Sequence, residues 1–495
     1  MRIFFLFDIS IVLWELENMK MKNYSLIVIG AGAGGLVVAK GYAKAHKKVL
    51  IIERGTYGGD CTNFGCIPSK SLIASAEIAH KIKTAEKMGI DLKDDSFNAD
   101  KALDRVQKII SNIKEKEDKA ALEKEGIDTI TGVAQFVDKH TLKVKIKEND
   151  DEIFIKGKKI VIAAGSAPFI PPINGIEETP YLTNETVFSL KKIPDSMIII
   201  GGGPIGCELA QAFNRLGSKV SIIHKHSHIL NREEEKTAEL IQTIFEKEGI
   251  EIYNDFQIDR ISHSNNTFEI EIGNSKIHKK LQANAALISS GRTANIAALH
   301  LENTDIEMTQ KGIVTDKYCR TTQNHIYAIG DIAGPPFFTH LAENHARIVL
   351  SNLLLPWPIR KKVKPKSLIP RVTYTDPEIA SIGYLKSSAI EKYSEKSLAI
   401  YELPFSEIDR AICQGDTEGF IQIITKKWSS KIIGVTIVGT RAGELLGELI
   451  LAINENIALR KLSNIIHPYP TFSLGLRQTA DLWLKQTVIP KFLKK

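Results

Sequence analysis

The sequence predicts an α/β protein in which two strand, glycine-turn, helix, strand units share one chain and a smaller α+β region follows them. Three observations carry this reading. Runs of β-branched residues end in glycine clusters at Gly30 and again at Gly201, and each cluster leads into a helical stretch and a second apolar run. The 495 residues exceed one ordinary core, so two or three domains are expected. With 43% hydrophobic and 25% charged residues, the composition is that of a packed globular chain, neither disordered nor membrane-embedded.

Residues 1–22 are expected to be an extension, disordered or non-native, because the first clear strand begins near Tyr24. The apolar stretch from Ile3 to Trp14 contains Asp8 and has twelve residues, short of the roughly 20 that a spanning helix needs. Glu15 and Glu17 follow where small residues would precede a secretory cleavage site. No stable membrane insertion is therefore expected. Five cysteines, an odd number, do not suit a secreted disulfide framework, and a cytoplasmic location is expected. The net charge of +7 is spread along the chain, with one dense run of Arg360, Lys361, Lys362, Lys364 and Lys366 among prolines. No aromatic residues interleave there, so it reads as a solvated linker and not as a nucleic-acid surface.

The first unit runs from Ser25 to Ile29, through Gly30-Ala31-Gly32-Ala33-Gly34-Gly35 and a helix, to a strand ending at Glu53. Gly30 allows the tight turn, Gly32 the approach of a pyrophosphate, and Gly35 close packing of helix on sheet. The helix N-terminus then offers unpaired N–H groups to phosphates. Glu53, 23 residues after Gly30, stands where a carboxylate accepts ribose hydroxyls. The unit is Rossmann-like, and dinucleotide binding is expected.

The second unit repeats this logic from Met197 through Gly201-Gly202-Gly203-Pro204-Ile205-Gly206 to a strand ending at His224. A histidine cannot accept both ribose hydroxyls as a carboxylate can, and Lys225, His226 and Arg232 follow it. That setting favours a 2′-phosphate, so NADPH is the expected donor and NADH the alternative. A chain holding both kinds of site can bind FAD and a nicotinamide together. Between and after them, Lys159 to Ile162 ends in Ala163-Ala164-Gly165-Ser166, and Ile326 to Ile329 leads into Gly330-Asp331, whose carboxylate suits the ribityl chain of a flavin.

Cys61 and Cys66 lie just after the first unit, in Gly58-Gly59-Asp60-Cys61-Thr62-Asn63-Phe64-Gly65-Cys66-Ile67-Pro68-Ser69-Lys70. Five helical residues rise about 7.5 Å, beyond the usual Cα separation of a bridge, so the segment must bend, and Gly65 and Pro68 suit that. Zinc would need a second pair to complete four ligands, and none follows. No metal site is expected.

With these motifs, the chain from Tyr24 to Trp483 resembles the pyridine nucleotide-disulfide oxidoreductases, the family of glutathione reductase, dihydrolipoamide dehydrogenase and mercuric reductase. The resemblance implies a glutathione reductase-like fold with a C-terminal α+β dimerisation domain, beginning near Pro370 to Pro377, and hence a homodimer. It implies that Cys61 is the interchange thiol and Cys66 the thiol that contacts the flavin. Lys70 is similar to the lysine near flavin N5, with Glu208 as its ion-pair partner, and Phe338-Thr339-His340 to the helix start beneath the pyrimidine ring. The FAD set is then Gly30, Gly32, Gly34, Gly35, Glu53, Arg54, Gly59, Lys70, Gly165, Ser166, Gly330, Asp331 and Thr339. The NAD(P) set is Gly201, Gly203, Pro204, Ile205, Gly206, Glu208, His224, Lys225, Gly291 and Arg292.

One run departs from the family. In His467-Pro468-Tyr469-Pro470-Thr471-Phe472-Ser473-Leu474, Tyr469 stands where the family's disulfide reductases carry a histidine base, and Leu474 where they carry its glutamate. A phenol of ordinary pKa about 10 is a poor base near neutrality. Mercuric reductase-like members accept tyrosine there, but the last cysteine is Cys413, so their C-terminal vicinal pair is missing. His467 is either a substitute acid/base or a structural histidine.

Three functions follow. The leading one is reduction of a metal ion or thiol-bound acceptor. A dihydrolipoamide dehydrogenase-like or glutathione reductase-like disulfide reductase using His467, and a slowly turning redox sensor, are the others. The expected domains are FAD-binding (23–168 and 290–355), NAD(P)-binding (169–289), a linker (356–366), the interface domain (367–485) and a basic tail (486–495), a dimer arm or a membrane-surface contact. A helix from Asp100 to Lys124 is expected as an insertion in the FAD domain.

Overall fold

A computed structural model describes residues 21–94, 96–356 and 358–493. Residues 1–20, most of the expected extension, lie outside the described residues. The chain divides into two compact units. The first joins residues up to Pro68 with Val106–Phe169 and Arg292–Val363; the second joins Ser69–Arg105, Ile170–Gly291 and Lys364 onward. The expected NAD(P) and interface regions thus fall in one unit, together with residues 69–105, which the sequence reading placed with FAD.

Strands Leu26–Ile29 and Val49–Glu53 of the first unit are buried at every position, as expected of parallel strands covered on both faces. They pair in parallel, and Ile160–Ile162 and Ile326–Ala328 extend the same sheet on the other side. Helix Ala33–Lys44 makes the crossover between the first two strands. Asp128–Phe136, Thr141–Ile146 and Glu152–Gly157 continue the sheet to eight strands, closed by Lys22–Tyr24 at its far edge. Lys22 pairs with Ile155, so the sheet begins one residue before the expected boundary.

In the second unit Ser196–Ile200 lies between Lys219–His224 and Ala285–Ile288 in a four-stranded parallel sheet, with helix Pro204–Arg215 as the crossover. Arg215, on that helix, is buried against Glu248 at 2.6 Å and Asp376 at 2.7 Å. A five-stranded antiparallel sheet holds Arg371–Thr373, Glu378–Gly383, Ile432–Gly439, Phe420–Lys426 and Leu398–Pro404 in that order. It is the α+β element anticipated for the C-terminal region.

Two local expectations change. The stretch from Asp100 to Lys124 is two helices, Asp100–Lys114 and Lys119–Lys124, the second capped by Asp118 accepting the Ala121 amide. Leu103, Val106 and Ile110 are its buried face. The supposed tail from 486 is folded: buried Thr487 shares a 2.6 Å hydrogen bond with Tyr401, and helix Ile489–Leu493 follows.

Candidate active site

The first glycine turn is shaped by close backbone contact. Gly30 has φ +106°, and a Cβ there would lie 2.3 Å from the Ala163 carbonyl oxygen. Gly34 and Gly35 are buried in helix Ala33–Lys44. Glu53 turns its carboxylate back on this loop, taking the Ala31 amide at 2.7 Å and the Gly55 amide at 2.8 Å. Each of its oxygens keeps a lone pair for a ligand hydroxyl. Arg54 beside it is exposed.

The cysteine segment is fastened to that turn. The Gly58 amide donates to the Ala31 carbonyl at 3.0 Å, and a Cβ on Gly59 would lie 2.4 Å from the Gly32 Cα. Cys61 sits in the short helix Gly59–Asn63 and Cys66 opens helix Cys66–Lys83. The expected bend falls between these helices, at Phe64 and Gly65. Pro68 does not contribute to it, because it lies in the first turn of the second helix, where a missing N–H costs nothing.

Both cysteines are free thiols, Cys61 half-buried and Cys66 exposed. Cys66 Sγ is 3.6 Å from the Thr339 hydroxyl, at the first residue of helix Thr339–Leu354. The Cys66 sulfur beside it raises the pKa of Cys61, burial adds to the rise, and the Thr339 hydroxyl opposes it.

Gly165 and Gly330 take positive φ at the ends of Ile160–Ile162 and Ile326–Ala328. Ser166 Oγ donates to Asp331 at 2.5 Å. Burial raises the Asp331 pKa against the pull of Ser166 and Arg292. Arg292 was expected at the nicotinamide site, but it belongs to this cluster: Nε donates to Ser166 Oγ at 2.8 Å and lies 4.0 Å from Asp331, while Nη2 lies 3.3 Å from Asp60. Its antiparallel pairing of Arg292–Ala294 with Ser166–Pro168 fixes this placement. Gly291, at φ +137°, is exposed and does not join the cluster.

In the second unit Gly201 repeats the turn at φ +118°, Gly203 has open space beside it, and Pro204 and Ile205 start the helix that contains Gly206 and Glu208. His224 is buried. Its Nδ1 accepts the Gly202 amide at 3.1 Å, and burial, followed by the nearby His226, His228 and Lys225, pushes its pKa down to about 4. It therefore adds no positive charge near neutral pH. The exposed Lys225, next to it in the chain, supplies charge at this strand end instead, and Arg232 is also exposed. Glu208, buried, pairs with Lys70 at 2.8 Å as expected. Tyr374, which the sequence reading did not single out, donates its amide to Glu208 at 2.9 Å.

Tyr469 is 71% exposed, and its hydroxyl bonds to the Asp409 carboxylate, which raises its pKa. His467 faces an acceptor on each nitrogen, the Ile465 carbonyl at 3.1 Å and Glu448 at 3.2 Å. Glu448, 19 residues away on a largely apolar helix, gave no signal in the sequence.

Comparisons with known proteins cover both the nucleotide turns and the α+β region. The model of the pyridine nucleotide-disulphide oxidoreductases matches residues 24–346, and the model of their dimerisation domain matches residues 369–480. The chain belongs to this family. It is an FAD-dependent oxidoreductase that works with NAD(H) or NADP(H), and it carries the family's dimerisation domain. A mercuric reductase of Lysinibacillus sphaericus is 29% identical over 478 residues, covering 95% of this chain and 86% of that protein. A dihydrolipoyl dehydrogenase of Bacillus subtilis (strain 168) is 32% identical over 457 residues, covering 92% and 97%. The Cu(II) complex of the HOCl-induced flavoprotein disulfide reductase RclA from Escherichia coli superimposes with a TM-score of 0.83 at 29% identity, covering 93% and 100%.

The first unit offers the kinds of group the family's FAD needs: a glycine turn in which Gly30 and Gly35 have no room for a Cβ, the Glu53 carboxylate at its strand end, and the Ser166–Asp331 pair. Among the described residues, no three His, Cys, Asp or Glu side chains group to hold a metal ion. No helix among them is long and apolar enough to cross a membrane.

Proposed function

We propose that the enzyme oxidises NADPH and delivers the electron pair through Cys61 and Cys66 to a soft metal ion, free or thiol-bound, working as a homodimer. Bound FAD would supply hydride acceptance and two-electron relay. The chain's own residues do the rest. Glu53 and the first glycine turn hold the dinucleotide, Lys225 and Arg232 attract a 2′-phosphate, and Lys70, one turn after Cys66 on the same helix, presents a fixed positive charge. Cys66 is the thiol for the flavin side, and Cys61 meets the acceptor.

The observation that carries the choice of acceptor is the phenol at Tyr469, where the family's disulfide reductases carry a histidine base. Thiol–disulfide interchange needs a proton moved to the leaving thiol. The Tyr469 phenol is held protonated by Asp409, and the His467 ring is turned to the Ile465 carbonyl and Glu448. Reduction of a metal ion bound by two thiolates needs no such donor, because the electron pair ends on the metal. Relatives named mercuric reductase, and a copper complex of a structural neighbour, support this reading.

The test is stopped-flow reduction by NADPH followed by mixing with mercuric ion, cupric ion, lipoamide or oxidised glutathione, in wild type, Cys61→Ser, Cys66→Ser and Tyr469→His. Rapid oxidation by a metal ion, lost in both cysteine variants, is expected, with disulfide reduction appearing only in Tyr469→His. Rapid turnover of lipoamide by wild type would overturn the reading, and no rapid acceptor at all would favour a redox sensor.

A further inference from the structure

The Lys70–Glu208 pair has a third member. Lys70 Nζ lies 2.8 Å from Glu208 Oε2 and 4.3 Å from the centroid of the Tyr374 ring. The other carboxylate oxygen, Oε1, accepts the Tyr374 amide at 2.9 Å. Glu208 is buried, whereas a third of the Lys70 side chain is exposed. A lysine ammonium held by one carboxylate can swing on its flexible stem. Here the aromatic face supplies a second attraction, and the amide of the same residue fixes the carboxylate that supplies the first. One residue therefore restrains both members of the ion pair.

We propose that Tyr374 is a positioning residue that fixes the Lys70 ammonium and so sets how strongly this charge favours the reduced flavin. The inference rests on the reading that Lys70 acts on the flavin. Tyr374 passes no proton or electron. The ring face and the backbone amide suffice, so its hydroxyl is dispensable.

The experiment measures the flavin midpoint potential of the FAD-loaded enzyme in wild type, Tyr374→Phe, Tyr374→Leu, Lys70→Met and the Lys70→Met/Tyr374→Leu double variant, with melting temperatures as a check on folding. Loss of a positive charge disfavours the anionic reduced flavin. The potential is expected to move negative in Tyr374→Leu and in Lys70→Met, to stay at the wild-type value in Tyr374→Phe, and to move no further in the double variant than in Lys70→Met. The rate constant for flavin reduction by NADPH should fall about threefold in Tyr374→Leu, with little change in the KM for NADPH. A shift from Tyr374→Leu that persists undiminished in the Lys70→Met background, or that Tyr374→Phe shares, would overturn the inference and leave the role of Lys70 intact. A Lys70→Met enzyme with unchanged potential would remove the role of Lys70 and this inference with it.

Discussion

His224 Nδ1 accepts the Gly202 amide proton at 3.1 Å. The same task in the first unit falls to Glu53, which accepts the Ala31 amide at 2.7 Å. The two strand ends share one architectural duty, bracing the glycine turn, and differ in charge. Replacing His224 by glutamate would keep the brace, supply an acceptor for ribose hydroxyls and place a negative charge where a 2′-phosphate would lie. His224→Glu is therefore expected to lower the ratio of kcat/KM for NADPH over NADH at least tenfold, about 1.4 kcal/mol. Steady-state kinetics with both nucleotides check this, and an unchanged ratio would detach nucleotide preference from this strand end.

The buried imidazole also ties stability to pH. Its folded pKa is pushed down to about 4, against about 6.5 in an unfolded chain. Between these values the unfolded chain binds a proton that the folded chain refuses, so the free energy of unfolding falls as pH drops from 6.5 toward 4. Above 6.5 this contribution is complete. The melting temperature at pH 5 should lie below that at pH 7.5, and His224→Gln, which can still accept the Gly202 amide, should narrow the gap. An identical gap in the variant would place the pH dependence elsewhere, for example at His80 or His345, which burial also shifts downward.

What could be read from the sequence was the part governed by local rules. Gly30 and Gly201 announce turns because their backbone conformations exclude side chains, and Glu53 is marked by its distance from the turn. The bend between Cys61 and Cys66 follows from their spacing, though Pro68 was wrongly credited with it, since a proline near a break can as well open a helix. Side-chain direction was not legible. Arg292 follows Gly291 at a junction, and only the pairing of its strand with Ser166–Pro168 turns it toward Asp60 and Asp331. The neutrality of His224 was not legible either, because burial, absent from the sequence, decides it. Tyr374 and Lys70 are far apart in the chain and share no pattern, so their contact appears only in three dimensions.

Arg292 yields the third prediction. Its guanidinium makes 2.8 and 3.1 Å hydrogen bonds to Ser166 and approaches the Asp60 and Asp331 carboxylates at 3.3 and 4.0 Å. With only 12% of the side chain exposed, removing the cation leaves two carboxylates close together with less to neutralise them, and Asp331 is already raised by burial. Arg292→Met should loosen Ser166 and Asp331 and weaken FAD retention about tenfold, as expected for losing a hydrogen bond to a charged group, about 1.5 kcal/mol. Arg292→Lys should recover only part of this, because an ammonium cannot reproduce the guanidinium fork. Fluorescence titration of the apoprotein with FAD measures the loss, and parallel kinetics should show the preference for NADPH over NADH unchanged. If FAD affinity held while the KM for NADPH rose, Arg292 would belong to the nicotinamide site after all, and the contacts with Asp60 and Asp331 would be incidental to cofactor binding.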